Sequence, residues 1–184
     1  MAKFTTVRFG ELDYREEDVI HLEAGLIGLP DLREWLILDM DDDIPMKWFQ
    51  SLNRADFGFP ISEAALFEDQ YEVSLGTDAL SALENTDLNN VASLIITTVH
   101  SGGDRITGNL LAPLMIDVST RRGVQLTLDD PRYNLRQEIN YLKFGLAVQS
   151  ESGETANLET GSTDALSGSK SSATENNTPE IVGV

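Results

Sequence analysis

The segment Asn109-Leu110-Leu111-Ala112-Pro113-Leu114-Met115-Ile116-Asp117, followed by Gly123-Val124-Gln125-Leu126, sets the architecture of this chain. It reads as an apolar strand with a proline near its start, a polar turn, and a second alternating strand. The residues 120–123, Thr-Arg-Arg-Gly, form the turn of the hairpin between them. Pro113 leaves the start of the strand unable to pair fully. Leu110 and Leu111 are neighbours, so in a strand they cannot both face inward. One of them faces solvent, lies under another element, or sits in a bulge. The segment holds no nucleophile–base set. It offers an apolar ledge, an amide and a backbone edge, which are the means of binding another protein.

Working outward, most of the chain has strand character. Residues 4–9 alternate, with Gly10-Glu11 as a hairpin turn before Leu12-Asp13-Tyr14. Short strands are expected at 19–22, 35–38, 47–52 and 57–61, with the longest at 91–100, then 106–111, 114–118 and 124–128. Trp35, Trp48 and Phe49 are assigned to the core. Helices are few: a turn or two at 62–67, a short helix at 78–83 capped by Thr77, and one at 134–142 from the spacing of Leu135, Ile139 and Leu142. About nine short, turn-separated strands predict a mainly β fold, a small antiparallel barrel-like structure with a few short helices. Closure would remove the edges that so many strands otherwise expose. Gly25, Gly28 and Gly123 are expected to hold turn geometry.

Composition narrows the function. The chain has 184 residues, enough for one domain with a real core. It has no cysteine, which excludes disulfides, thiolate metal sites and thiol nucleophiles. The N-terminal residues lack the apolar run of a secretory signal, and the longest apolar stretch, 91–99, is far below the ~20 residues of a membrane helix. A soluble cytoplasmic protein is expected. The net charge is −18; residues 1–145 carry 25 acids and 12 bases, and residues 146–184 carry 6 acids and 1 base. The acidity is therefore mostly in the folded part. It disfavours nucleic acid and anionic membrane as direct partners and favours a basic protein. From Ser150 to residue 179 the chain is mostly Ser, Thr, Gly, Asn, Ala and Glu with only Leu158 and Leu166 as large apolar residues. Such a stretch cannot offset its ordering entropy, and a disordered acidic tail is expected.

The search for chemistry returns little. The two histidines, His21 and His100, sit in strands with no partner pattern. Asp39, Asp41 and Asp43 match the first half of a calcium loop, but Ile44 replaces the required glycine and Gln50 the closing glutamate. Asp129-Asp130 and Glu16-Glu17-Asp18 are adjacent acids that point to opposite faces in a strand, not shared-proton dyads. Arg121-Arg122 reads as a solvated hairpin tip. No catalytic set, metal site or cofactor is expected.

At this point the residues resemble a family, the flagellar assembly factor FliW. Asn109-Leu110-Leu111-Ala112-Pro113 is similar to that family's Asn-Leu-x-Ala-Pro, and Gly123-Val124-Gln125 follows at the spacing of its Gly-x-Gln. Phe49-Gln50-Ser51-Leu52, then Phe57-Gly58-Phe59, resembles its Leu-Gln-Ser segment and the Ala-Phe after it. Gly25-Leu26-Ile27-Gly28-Leu29 resembles a Gly-Ile-Pro-Gly-Phe turn, and Phe67-Glu68-Asp69-Gln70-Tyr71 a Phe-x-Pro-x-Tyr. Gly10-Glu11-Leu12 matches the first hairpin, and Tyr133 with Arg136 the closing Tyr-x-x-Arg. The matches run in family order across about 3–139. Glu23, Ile27 and Asp69 stand where the family has proline, and Ser62-Glu63 replaces an Asp-Pro, so loop shapes should differ while the fold is kept.

The resemblance implies a FliW-like β-barrel domain over 1–139 and an extension over 140–184 that inherits nothing. It implies a non-catalytic protein, monomeric when free, with two protein partners. One is flagellin; the other is the RNA-binding translational regulator CsrA, which the family antagonises. The partner-binding candidates are Asn109, Leu110, Leu111, Ala112 and Pro113, with a second patch of Phe67, Glu68, Asp69 and Tyr71 beside Glu72. The competing readings are a flagellin chaperone that touches no regulator, and a small β-barrel metal binder using the 39–43 acidic run.

Overall fold

The computed structural model describes residues 1–40, 45–84, 87–101 and 105–140. The expected disordered tail, the acids Asp41 and Asp43, and residues 141–142 of the expected last helix lie outside them. Among the described residues eleven strands are present: β1 (Ala2–Thr6), β2 (Gly10–Tyr14), β3 (Ile20–Leu22), β4 (Glu34–Asp39), β5 (Lys47–Ser51), β6 (Gly58–Glu63), β7 (Val91–Val99), β8 (Ile106–Gly108), β9 (Leu114–Asp117), β10 (Arg122–Gln125) and β11 (Gln137–Glu138). An α-helix, α1 (Thr77–Leu83), lies between β6 and β7. β1 and β2 form a separate hairpin; the other nine strands run in the order β11-β8-β7-β6-β5-β4-β3-β10-β9. A further pairing of β9 with β7 brings the sheet back on itself, which makes it barrel-like.

The expected mainly β, barrel-like fold is what the chain adopts, with one departure in its pairing. β3 and β10 run parallel, through Arg122 opposite His21 and Gly123 opposite Leu22. Gly123 is accordingly a strand residue and not the turn residue expected. A Cβ there would come within 2.6 Å of Leu22 Cδ2 and 3.2 Å of Ile116 Cγ1, so a bare backbone is what lets β3 and β9 close on β10.

β4 explains the core. Its apolar run Trp35-Leu36-Ile37-Leu38 is buried on both faces. Trp35 and Ile37 enter the barrel interior with Ile20, Phe49, Ile61 and Leu114, while Leu36 and Leu38 face outward into a second cluster with Leu12 and Val19. The β1–β2 hairpin covers that outer face. Trp35 stacks flat on Phe49, ring centroids 4.5 Å apart and planes 2° apart, with Phe59 tilted against both. Trp48, expected in the core, is only half-buried: its ring lies beneath the Arg8 guanidinium at 4.4 Å and meets Phe9 edge-on. A third cluster, centred on Phe67, Ile95, Leu110, Tyr133 and Ile139, fills the space outside β7 and β8.

Three local expectations are corrected. The first hairpin turns at residues 7–9, and Gly10 already opens β2 with φ +70°. Thr77 does not cap α1; it is the first helical residue, after Gly76. Residues 134–140 are not helical. Asn134 Oδ1 accepts from the Arg136 amide at 2.9 Å, folding a turn, and Gln137 and Glu138 then pair with Gly108 and Thr107. The apolar spacing that suggested a helix is set instead by burial of Ile139, while Leu135 is 63% exposed. A free strand edge on β8 overrides a weak local preference.

The 25–28 turn behaves as its glycines require. Gly25 has φ +67° and lies so close to the next segment that a Cβ would meet Leu29 O at 2.6 Å and Pro30 Cα at 2.7 Å. Gly28, at φ +81°, has open space around it. Gly25→Ala should therefore cost about 3 kcal/mol or more, from strain and collision together, and Gly28→Ala about 1 kcal/mol from strain alone. Denaturant titration of the two variants checks the order; equal losses would contradict this account.

Candidate protein-binding surface

The stretch 109–113 is not a strand. β8 and β9 both pair with the same strand, β7: Gly108 stands opposite Thr97 and Leu114 opposite Leu94. The five residues between them face only Ile95 and Ile96, so the chain must loop out of the ladder. Asn109 organises the excursion. Its amide donates to Ile96 O at 3.1 Å, and its Oδ1 accepts from the Leu111 amide at 3.1 Å. The excursion is held from several sides. The Leu110 amide donates to Asn134 O, Leu111 O accepts from the Leu128 amide, and Pro113 O accepts from the Leu126 amide.

The two leucines divide as their adjacency demands, with Leu110 1% exposed in the outer cluster and Leu111 half-buried at the top of the turn. Pro113 is also buried, while Asn109 and Ala112 are half-buried. Of the five candidates, Leu110 and Pro113 anchor the turn; Asn109, Leu111 and Ala112 reach its surface. Phe67 is buried in the outer cluster, so it supports its loop from below; Glu68 and Asp69 are exposed and Tyr71 is half-buried. Phe67 and Leu110 are corrected from contact residues to supports, since a side chain already in the core has no surface left to offer.

Tyr71 joins the two patches. Its hydroxyl donates to Leu110 O at 2.6 Å, and its ring meets Tyr133 at 4.6 Å between centroids. Tyr133 Oη in turn accepts from the Glu72 amide at 2.8 Å, and Arg132 bonds both Asp130 and Glu72 across the same loop. Burial, and then the neighbouring Tyr133, push the Tyr71 phenol above the ordinary tyrosine value.

Gln125 was not among the candidate residues read from the sequence. Its Oε1 accepts from the Ile27 amide at 2.8 Å and its Nε2 donates to Ala112 O at 3.4 Å. Itself 98 residues from Ile27 in sequence, it ties the 25–28 turn to the 109–113 turn. Ile27, 59% exposed, is thereby joined through its amide to the turn that carries Leu111 and Ala112. The only signal for Gln125 in the sequence was its place in Gly-x-Gln.

The remaining chemical candidates are placed apart. His21 is half-buried in β3; His100 ends past β7 with Nε2 3.0 Å from Thr107 Oγ1. Asp39 pairs with Lys47 at 2.9 Å. Asp18 is buried, and the hydrogen bond from the Arg15 guanidinium lowers its carboxyl below the ordinary aspartate value. Among the described residues no three His, Cys, Asp or Glu side chains gather as a metal site, and no helix is long and apolar enough to cross a membrane.

These features define a mainly β, barrel-like protein with a braced, partly apolar turn beside an acidic loop. The chain belongs to the FliW family, whose description, FliW protein, matches residues 3–139. Similar proteins are the flagellar assembly factor FliW of Caldanaerobacter subterraneus subsp. tengcongensis, 32% identical over 138 residues, covering 74% of this chain and 92% of that protein. The FliW of Caldicellulosiruptor bescii is 34% identical over 128 residues, covering 70% and 84%. A crystal structure of the flagellar assembly factor FliW superposes with a TM-score of 0.69 at 29% identity, covering 74% of this chain and 96% of that one.

Tyr71→Phe removes the donor to a buried carbonyl and should cost about 1–2 kcal/mol at neutral pH. Because the folded phenol titrates above the unfolded value of 10.0, the folded state keeps a proton that the unfolded state releases. The stability contributed by Tyr71 is complete below about pH 10 and falls as pH rises further. The gap between wild type and variant should narrow across that window in thermal melts. A gap that widens would reverse the sign of this argument.

Proposed function

We propose that this protein is a non-enzymatic cytoplasmic flagellar assembly factor. It binds flagellin, and it binds and antagonises a CsrA-type RNA-binding translational regulator, so that flagellin translation follows flagellin secretion. Family membership supports the flagellar role. The observation that carries the binding reading is the 109–113 turn, where Leu110 is locked inward and Leu111 is left at the surface with Ala112 and Ile27. The proposed contact set is Asn109, Leu111, Ala112 and Tyr71 with Glu68 and Asp69, positioned by Leu110, Pro113 and Phe67.

The physics of antagonism follows from charge. A protein of net charge −18 docked beside a basic RNA-binding face opposes the approach of RNA without occupying the RNA site. Apolar contact at Leu111 supplies affinity, and the acids supply steering and repulsion. The repulsive part acts over a screening length of ~8 Å at physiological ionic strength and weakens with added salt.

Leu111→Asp places a charge on the ledge at a half-buried position packed on the margin of the outer cluster, leaving the fully buried residues unchanged. Calorimetric titration against a CsrA-type regulator and against flagellin should show at least about a tenfold loss of affinity, with the thermal transition retained. Unchanged affinity for both partners in a folded variant would remove the ledge from the interface. Binding of flagellin alone by the wild type would leave the chaperone reading, with no regulator.

A further inference from the structure

A second surface is left open by the fold. A groove of about 520 Å³ lies outside β5, β6 and the start of β7, beneath the 64–71 loop. Met46, Ala64, Leu66, Ala92 and Leu94 form its apolar lining, and Glu63, Glu68 and Asp69 stand along it. Lys47, the one cation among its described lining residues, is paired with Asp39. Ser62 also lines the groove, and its buried Oγ has no hydrogen-bond partner among the described residues. The groove is thus apolar, acidic at its margin, and short of one polar partner.

The chain passes this groove as it leaves the sheet. The Ile139 amide donates to Ile106 O, and the Asn140 amide donates to Leu66 O at 2.9 Å, so residue 140 sits on a groove-lining residue. The next eight residues are Tyr141-Leu142-Lys143-Phe144-Gly145-Leu146-Ala147-Val148. They carry large apolar side chains at alternate positions, 142, 144, 146 and 148, and one cation, Lys143. Extended, eight residues span up to ~26 Å, ample for a groove whose lining residue Leu66 holds Asn140. The polar Ser, Thr and Gly sequence begins only at Ser150.

We propose that residues 141–148 of this chain occupy the groove, with the alternate apolar side chains on its floor and Lys143 toward Glu63, Glu68 and Asp69. Three features converge on this occupant: apolar complementarity, a single positive charge facing an acidic margin, and tethering at the groove's own lining. Tethering makes the docking intramolecular, so even weak contacts suffice. The apolar lining is thereby covered in the free protein. The inference stands apart from the identity of the partners proposed above, and its test needs none of them.

Limited trypsin digestion of the full chain, followed by mass spectrometry, reads the docking directly. Lys143 lies in the segment and Lys170 in the polar sequence beyond it, so Lys170 is an internal reference. Cleavage after Lys143 should be at least about tenfold slower than after Lys170. Phe144→Ser removes an apolar anchor and gives both lysines the same following residue. Ala92→Trp fills the groove. Each should bring the Lys143 rate to within about threefold of Lys170, with the thermal transition retained. Should Ala92→Trp fail to fold, Glu68→Gln with Asp69→Asn, at exposed positions, weakens the margin and should raise the Lys143 rate in the same direction. Equal rates at the two lysines in the wild type overturn the proposal. So does protection that neither class of variant changes, or protection released by Phe144→Ser but by no groove variant, which would seat the segment elsewhere.

Discussion

β7 is the constraint on which the rest depends. Along one edge it pairs with β6; along the other it pairs first with β9 and then with β8. The β8 and β9 pairings are two stretches of one ladder whose registers differ by three residues, and those extra residues must leave the sheet somewhere. They leave at 109–113. The closure of the barrel and the protrusion of the candidate binding turn are therefore the same event. Continuous pairing there would put three more residues into the ladder and carry Leu114 away from Leu94. β9 and β10 would then no longer return to β3, and the parallel pairing at Gly123 would be lost.

This geometry explains why the fold was readable while the site was readable only in part. Alternation and apolar runs located nearly every strand, because half-buried and fully buried strands impose period-two or continuous apolar patterns. The run Trp35-Leu36-Ile37-Leu38 announced a strand with two dry faces, and both are covered. The break at 109–113 gave no such signal. Leu110 and Leu111 look like any apolar strand pair, and only a register fixed by a distant strand determines that one turns inward. The dilemma that adjacency poses was visible; its answer lay in β7. The same applies to residues 134–140, where Leu135 and Ile139 fit a helix by spacing but the open edge of β8 decides otherwise.

Gln125 shows the limit of reading residues one at a time. An amide in an alternating strand is unremarkable, and its value comes from two backbone groups in loops that are far apart in sequence. The Gly-x-Gln spacing marked the position without supplying its role. Gly123 was marked in the same way and assigned to a turn, although it serves close packing between strands. Resemblance to a family located these residues; only the packing around Leu22, Ile27 and Ala112 says what they do.

Tyr71 gives the two surfaces a shared element. Its side chain lines the groove beneath the 64–71 loop, and its hydroxyl holds the carbonyl of Leu110 in the protruding turn. Tyr133 packs on its ring and, through the Glu72 amide, fixes the strand of loop that carries it. An occupant of the groove and a partner at the turn would thus both bear on one side chain. Coupling between the two sites requires that each ligand favour a different setting of a shared element. Breaking the tyrosine hydrogen bond would leave a buried carbonyl unpaired and loosen the support of Leu110. The acidic loop, the apolar ledge and the groove are then three parts of one surface, arranged around a single hydrogen bond.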